Sequence, residues 1–176
     1  PPAAPQVTTH NFRFSEDYDL YPSGAKTKYK NNVMAIKLLK QIELEKRTAT
    51  PEEQIILARY VGWGGLANAF SSTASGWENE YQELKSLLTD VEYKAAMNST
   101  ITAYYTEPDL IRHIYRALER FGFEGGPDRK ILDPGMGTGN FYSVLPEQFQ
   151  GSKLFGVELD SITGRIAKQL YPDADI

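Results

Sequence analysis

Three glycines at alternate positions, Gly135, Gly137 and Gly139, separate a short apolar run, Lys130-Ile131-Leu132-Asp133, from a stretch of helical character opening near Gly139. A strand entering such a turn and a helix leaving it make the first half of a βαβ unit, the building block of parallel sheets. Bare backbone at the turn lets a ligand lie against the main chain, and a helix start offers unpaired N–H groups. Three ligand classes use a turn of this kind. A P-loop needs Gly-Lys-Ser/Thr, but Gly139 is followed by Asn140. A dinucleotide fingerprint needs glycine at 140 as well as at 135 and 137, and Asp133 at the strand tip repels a pyrophosphate. The same carboxylate attracts an ammonium. S-adenosylmethionine carries an ammonium, a sulfonium and no phosphate, so it suits the pattern D-P-x-x-G-T-G-x-F best, ahead of a nicotinamide dinucleotide.

A second strand is expected over 153–159, within which Gly156-Val157-Glu158-Leu159-Asp160 puts an acid at the tip of the neighbouring strand. About twenty residues beyond the glycines, such an acid can accept both hydroxyls of an adenosine ribose. A helix ends before Pro172, and Ala174-Asp175-Ile176 reads as a third strand beginning. Two strands and a start do not finish a doubly wound sheet. The fold class expected is therefore α/β: a helical N-terminal module followed by an incomplete, Rossmann-like parallel sheet. The chain reads as a fragment.

Upstream the signals are helical. Residues 1–25 hold four of the ten prolines and read as an extended arm that packs through Phe12, Phe14, Tyr18 and Tyr21. Residues 26–100 form the helical module. Ala35, Leu38, Leu39 and Ile42 share one stripe of a helix running to about Lys46. Thr50-Pro51-Glu52-Glu53 has the residues of a capping box with proline at the first helical position, and that helix should end in Gly62-Trp63-Gly64-Gly65. Trp77 to Leu88 and Thr89 to about Met97 give two more. In residues 101–176, Thr106-Glu107-Pro108-Asp109 starts a helix with Thr106 as cap, carrying Leu110, Ile114, Ala117, Leu118 and Phe121 on its core side.

Composition narrows the function. The chain has no cysteine, which excludes disulfides, thiolate metal sites and a thiol nucleophile. His10 and His113 have no partner at ligand spacing, so no metal is expected. A formal charge of −4 argues against a surface that is basic throughout. The helix from Lys26 to Arg47 nevertheless carries seven basic against two acidic residues, a candidate contact for a DNA backbone. Trp63 and Trp77, next to glycine turns, read as packing plugs rather than base-stacking platforms. No apolar run approaches a membrane span, and a soluble, cytoplasmic protein is expected.

Residues 131–141 and 156–160 resemble motifs I and II of the amino-class DNA adenine-N6 methyltransferases, and Ala103-Tyr104-Tyr105-Thr106-Glu107-Pro108 is similar to the Y-T-x-P segment that precedes motif I in one subgroup. The run from about Lys26 to Ile176 resembles more closely the large methylase–helicase proteins of bacterial conjugative and integrative elements. The shared segments are T-P-E-E-Q, Y-V-G-W-G-G-L-A, E-L-K-x-L-L, Y-T-x-P, M-G-T-G-N-F and G-V-E-L-D-S-I-T-G-R-I-A-K-Q-L-Y-P. Asp133 and Gly135 stand where many relatives carry Glu and Ser. The resemblance implies that Tyr105 and Thr106 border the methionine carboxylate of S-adenosylmethionine and that Asp133 takes its ammonium. It further implies that Gly135, Gly137 and Gly139 leave room for the methionine moiety, Glu158 holds the ribose and Leu159 packs on adenine. The family's catalytic tetrapeptide, Asn/Asp/Ser-Pro-Pro-aromatic, is absent from this sequence. The resemblance thus implies a chain that is inactive alone, with no catalytic residue of its own. Its partners would be DNA and the rest of the same polypeptide, a catalytic half and a helicase portion. The competing expectation is a non-catalytic DNA-positioning or docking module that keeps relic methylase motifs.

Overall fold

The computed structural model describes residues 10–21 and 23–176; residues 1–9 and 22 of the expected arm lie outside the described residues. Apolar residues at helical spacing build α1 (Ala25–Leu44), which buries Tyr29, Val33, Ile36, Leu39 and Ile42. The capping box is present: Thr50 Oγ1 accepts from Glu53 N, a Glu53 carboxylate oxygen accepts from Thr50 N, and α2 runs Pro51–Ala58. That helix stops four residues before Gly62, and Asn32 supplies the reason. Its fully buried amide accepts from Val61 N at 2.9 Å and donates to the Gly62 carbonyl at 2.6 Å, holding the chain in a non-helical path.

Two more helices follow, α3 (Glu78–Leu87) and α4 (Asp90–Ser99), the latter opened by a second capping box between Thr89 and Glu92. Helix α5 spans Pro108–Arg120, but its N-cap is Glu107 and no side chain caps it. Thr106 does not cap, and Asp109 pairs with Arg112 at 2.7 Å. The expected core face of α5 is also turned. Ile111 and Tyr115 are buried, whereas Leu110, Ile114 and Phe121 are exposed. Tyr115 fixes this rotation by donating to the Phe141 carbonyl at 2.9 Å and packing on Phe141 and Phe149.

Strand β1 (Lys130–Asp133) pairs in parallel with β2 (Lys153–Gly156), Ile131 opposite Leu154 and Asp133 opposite Gly156. On the far side of β2, Gly156 N donates to Asp175 O at 2.8 Å and Asp175 N to Leu154 O at 3.0 Å, where a third parallel pairing begins. Between the strands lie α6 (Asn140–Ser143), a single turn, and a 3₁₀ turn at Glu147–Phe149; α7 (Ser161–Leu170) follows β2. The architecture is mixed α/β, mostly helical around a two-stranded parallel sheet.

Helix α7 is where the two halves meet. Ile162, Ile166, Ala167 and Leu170 are buried in one continuous core with residues of α1 and α2. The buried Gln54 amide donates to the carbonyls of His10 and Gln169, and Phe12 N donates to Leu170 O at 2.7 Å, laying the described part of the arm along the same helix. Phe12 is buried, Phe14 and Tyr18 pack on the core partly covered, and Tyr21 is exposed. Among the described residues no helix is long and apolar enough to cross a membrane.

Candidate functional site

The strand tips and the turn are tied together through backbone. Val157 N donates to Asp133 O and Met136 N to Val157 O, so the turn folds back over the end of β2. The Glu158 carboxylate then bridges two main chains, accepting from Gly137 N at 2.9 Å and from Asp160 N at 2.8 Å. Asp160 caps α7 by accepting from Thr163 N. The second strand's acid is thereby held against the glycine turn. With only one turn in α6, the helix start expected there contributes little dipole.

The three glycines face different surroundings. A Cβ at Gly135 would meet open space. At Gly137, with φ +55°, it would lie 2.8 Å from Cε1 of Tyr105, and at Gly139, with φ +85°, it would overlap the Tyr171 ring. Two of the three bare positions are therefore filled by tyrosines of this chain.

A cavity of about 500 Å³ opens beside the turn, lined among others by Gly135, Gly137, Glu158, Leu159, Asn98 and Tyr105. Its lining carries two carboxylates, Glu158 and Asp160, and no basic side chain. Asp133 is not in it. Asp133 lines a smaller adjoining crevice with Thr106, Asn140 and Phe141, and Tyr104, Tyr105 and Gly135 border both spaces. Burial pushes the Asp133 carboxyl above its ordinary range, against one hydrogen bond from Gly135 N that works the other way. Burial likewise pushes the Tyr105 phenol far up. Thr106 offers only its carbonyl to a defined partner, accepting from Asn140 Nδ2 at 3.0 Å. Leu159 stands 98 % exposed at the cavity mouth.

The contribution of α4 to the lining was not legible in the motifs, whereas Tyr105 beside it was expected from the Y-T-x-P segment. Ala95, Asn98 and Ser99 come from the last turn of α4, and Thr102 to Tyr105 from the segment after it. The Gly62–Gly65 run, read as a helix end, is the seat for that segment: a Cβ at Gly64 would overlap the Ala103 carbonyl, one at Gly62 would lie 3.0 Å from the Tyr105 hydroxyl, and Gly65 N donates to Thr100 O. A glycine run more than thirty residues upstream of its partner gives no local sign of what it receives.

The basic helix is largely matched within the fold. Lys26, Lys37, Lys40 and Arg47 pair with Glu80, Glu83, Glu92 and Glu53 at 2.6–3.0 Å. Trp63 is buried edge-to-face against Tyr29, Tyr60 and Phe70, and buried Trp77 has Lys26 Nζ 4.1 Å from its ring centre; both are packing residues. His113 Nδ1 lies 2.7 Å from the Asp109 carbonyl, and no group of three potential metal ligands occurs among the described residues.

No protein-family model and no solved structure matches the chain. It is similar to the "Defense against restriction protein B" of Escherichia phage P1, 25 % identical over 145 residues that cover 82 % of this chain and 5 % of that protein. The chain thus spans about one-twentieth of the length of the relative it matches.

Proposed function

We propose that this chain is the cofactor-holding part of an S-adenosylmethionine-dependent DNA adenine-N6 methyltransferase belonging to a mobile-element methylase–helicase, and that its sheet is the first half of a Rossmann-like domain. One observation carries the reading. The acid of the second strand is held directly against the glycine turn, in the lining of a cavity of about 500 Å³ whose charged side chains are all acidic, which disfavours phosphate and suits a cationic nucleoside. The phage relative, named for defence against restriction, supports a setting in which mobile DNA meets DNA-modifying enzymes.

The residues present fit the group. Glu158 still has lone pairs for a ribose after accepting two backbone N–H groups, and Leu159 offers an uncovered apolar surface for adenine. Asp133, in its adjoining crevice, is the carboxylate for the ammonium, with Thr106 beside it and Gly135 joining the two spaces. When bound, S-adenosylmethionine supplies an electrophilic methyl group; this chain's residues bind and orient it. No residue here holds the target base, so the chain alone is inactive.

Calorimetry with S-adenosylmethionine tests the reading on this chain and on one continued through an Asn/Asp-Pro-Pro-aromatic tetrapeptide. Tighter binding, together with methylation of adenine, by the longer chain is expected. If neither chain binds, the cofactor assignment is wrong.

A further inference from the structure

We propose that Asn98, on the last turn of α4, reads the purine ring of the nucleoside, so that the helical module supplies base specificity to the pocket. The inference rests on the function proposed above and adds a residue that the strand-tip motifs do not contain. Asn98 lines the same cavity as Glu158 and Leu159. Several of the other polar side chains in the lining are engaged or buried. Ser99 Oγ donates to the Ala96 carbonyl at 2.8 Å. The Tyr60 side chain is buried, and the Tyr105 ring is packed against Gly62 and Gly137. The exposed Asn98 amide has no hydrogen-bond partner among the described residues.

Chemistry selects it over the remaining candidates, Thr102 and Tyr104. A primary amide presents a donor and an acceptor side by side in one plane, the complement of an adenine edge, where an exocyclic amine adjoins a ring nitrogen. A hydroxyl has its donor and its acceptors on one oxygen and so cannot pair side by side with two neighbouring atoms of a ring edge. Leu159, 98 % exposed in the same lining, offers an apolar surface for the face of such a ring.

Ligand-detected NMR at millimolar nucleoside, on this chain, compares adenosine with purine riboside, which lacks only the amine. Wild type should prefer adenosine by about three- to ten-fold, the range of one hydrogen bond between neutral groups. Asn98→Ala should bind both equally, with an unchanged thermal midpoint because the side chain is exposed. A preference that persists in Asn98→Ala overturns the assignment of Asn98 and leaves the methyl-donor reading intact. If wild type binds neither nucleoside, the assignment of Asn98 falls, and the methyl-donor reading falls with it only if the longer chain also fails to bind S-adenosylmethionine.

Discussion

The Tyr105 ring fills the space that Gly137 leaves, and this makes two neighbouring glycines respond differently to the same substitution. Gly137→Ala places a methyl 2.8 Å from that ring on a backbone with φ +55°, a conformation that is costly for any residue with a Cβ. We expect a loss of about 1–2 kcal/mol and a thermal midpoint lower by about 2–8 °C. Gly135→Ala meets open space without a left-handed φ, and its midpoint should stay within about a degree of wild type. Equal midpoints for the two variants would refute the packing. Asp133 gives a third test. Burial raises its folded pKa above the ordinary 3.8, so the protonated form is favoured in the fold. Its stability contribution is full below that value and is lost as pH rises through the folded pKa. Asp133→Asn keeps the neutral form, so at pH 7 it should melt above wild type while binding S-adenosylmethionine more weakly, and the thermal advantage should vanish below about pH 4. A lower midpoint at neutral pH would mean that the carboxylate is already compensated.

Helices α1, α4 and α7 are joined by one ion network. The side chain of Glu92, only 9 % exposed, takes Arg165 at 2.7 Å and Lys40 at 3.0 Å while closing the α4 capping box, and Arg165 also holds Glu43. Burial alone raises the Glu92 carboxyl, but Thr89 N, Arg165 and Lys40 outweigh it and bring it down to about 2. A depressed carboxyl contributes stability that is present above its unfolded value of 4.5 and lost as pH falls towards 2. Acid titration followed by circular dichroism should therefore show a drop in stability between about pH 4.5 and 2 that is diminished in Glu92→Gln. At pH 7 that variant should lose about 1–2 kcal/mol, a value reduced because both cationic partners remain partly in water. An unaltered acid transition in Glu92→Gln would assign the drop to other carboxylates. Helix ends show what was legible in the chain. Thr50 and Thr89 announce their helices because a capping box is satisfied within four residues, with no help from the rest of the fold. The end of α2 and the rotation of α5 were not legible. Asn32 sets one and Tyr115 the other, each by a contact about thirty residues away in sequence.

At the scale of the whole molecule, the two strand-tip acids and the turn were legible because their spacing is local. The α4 wall and the division of Asp133 from Glu158 into separate crevices arise only when the helical part packs on α7. The same packing leaves one face uncovered. The edge of β1 away from β2 is unpaired among the described residues, and beside it lies an apolar groove of about 300 Å³ lined by Ile114, Leu118, Ile131, Leu132 and Phe141. Leu132 is 62 % exposed and Phe121 78 %. An open strand edge with free N–H and C=O groups is a template for pairing, and apolar side chains around it add the hydrophobic drive. The natural protections are weak here: β1 has no proline and no bulge, and its charges, Lys130 and Asp133, stand at its two ends. This chain should therefore self-associate as its concentration rises, read by sedimentation velocity. Leu132→Lys should suppress the association by placing a charge at the centre of the edge, without lowering the thermal midpoint, because the residue it replaces is already mostly in water. A wild-type chain that stays monomeric up to near-millimolar concentration would mean that twist or side-chain cover already closes the edge. Association that survives Leu132→Lys would instead move the contact to another face.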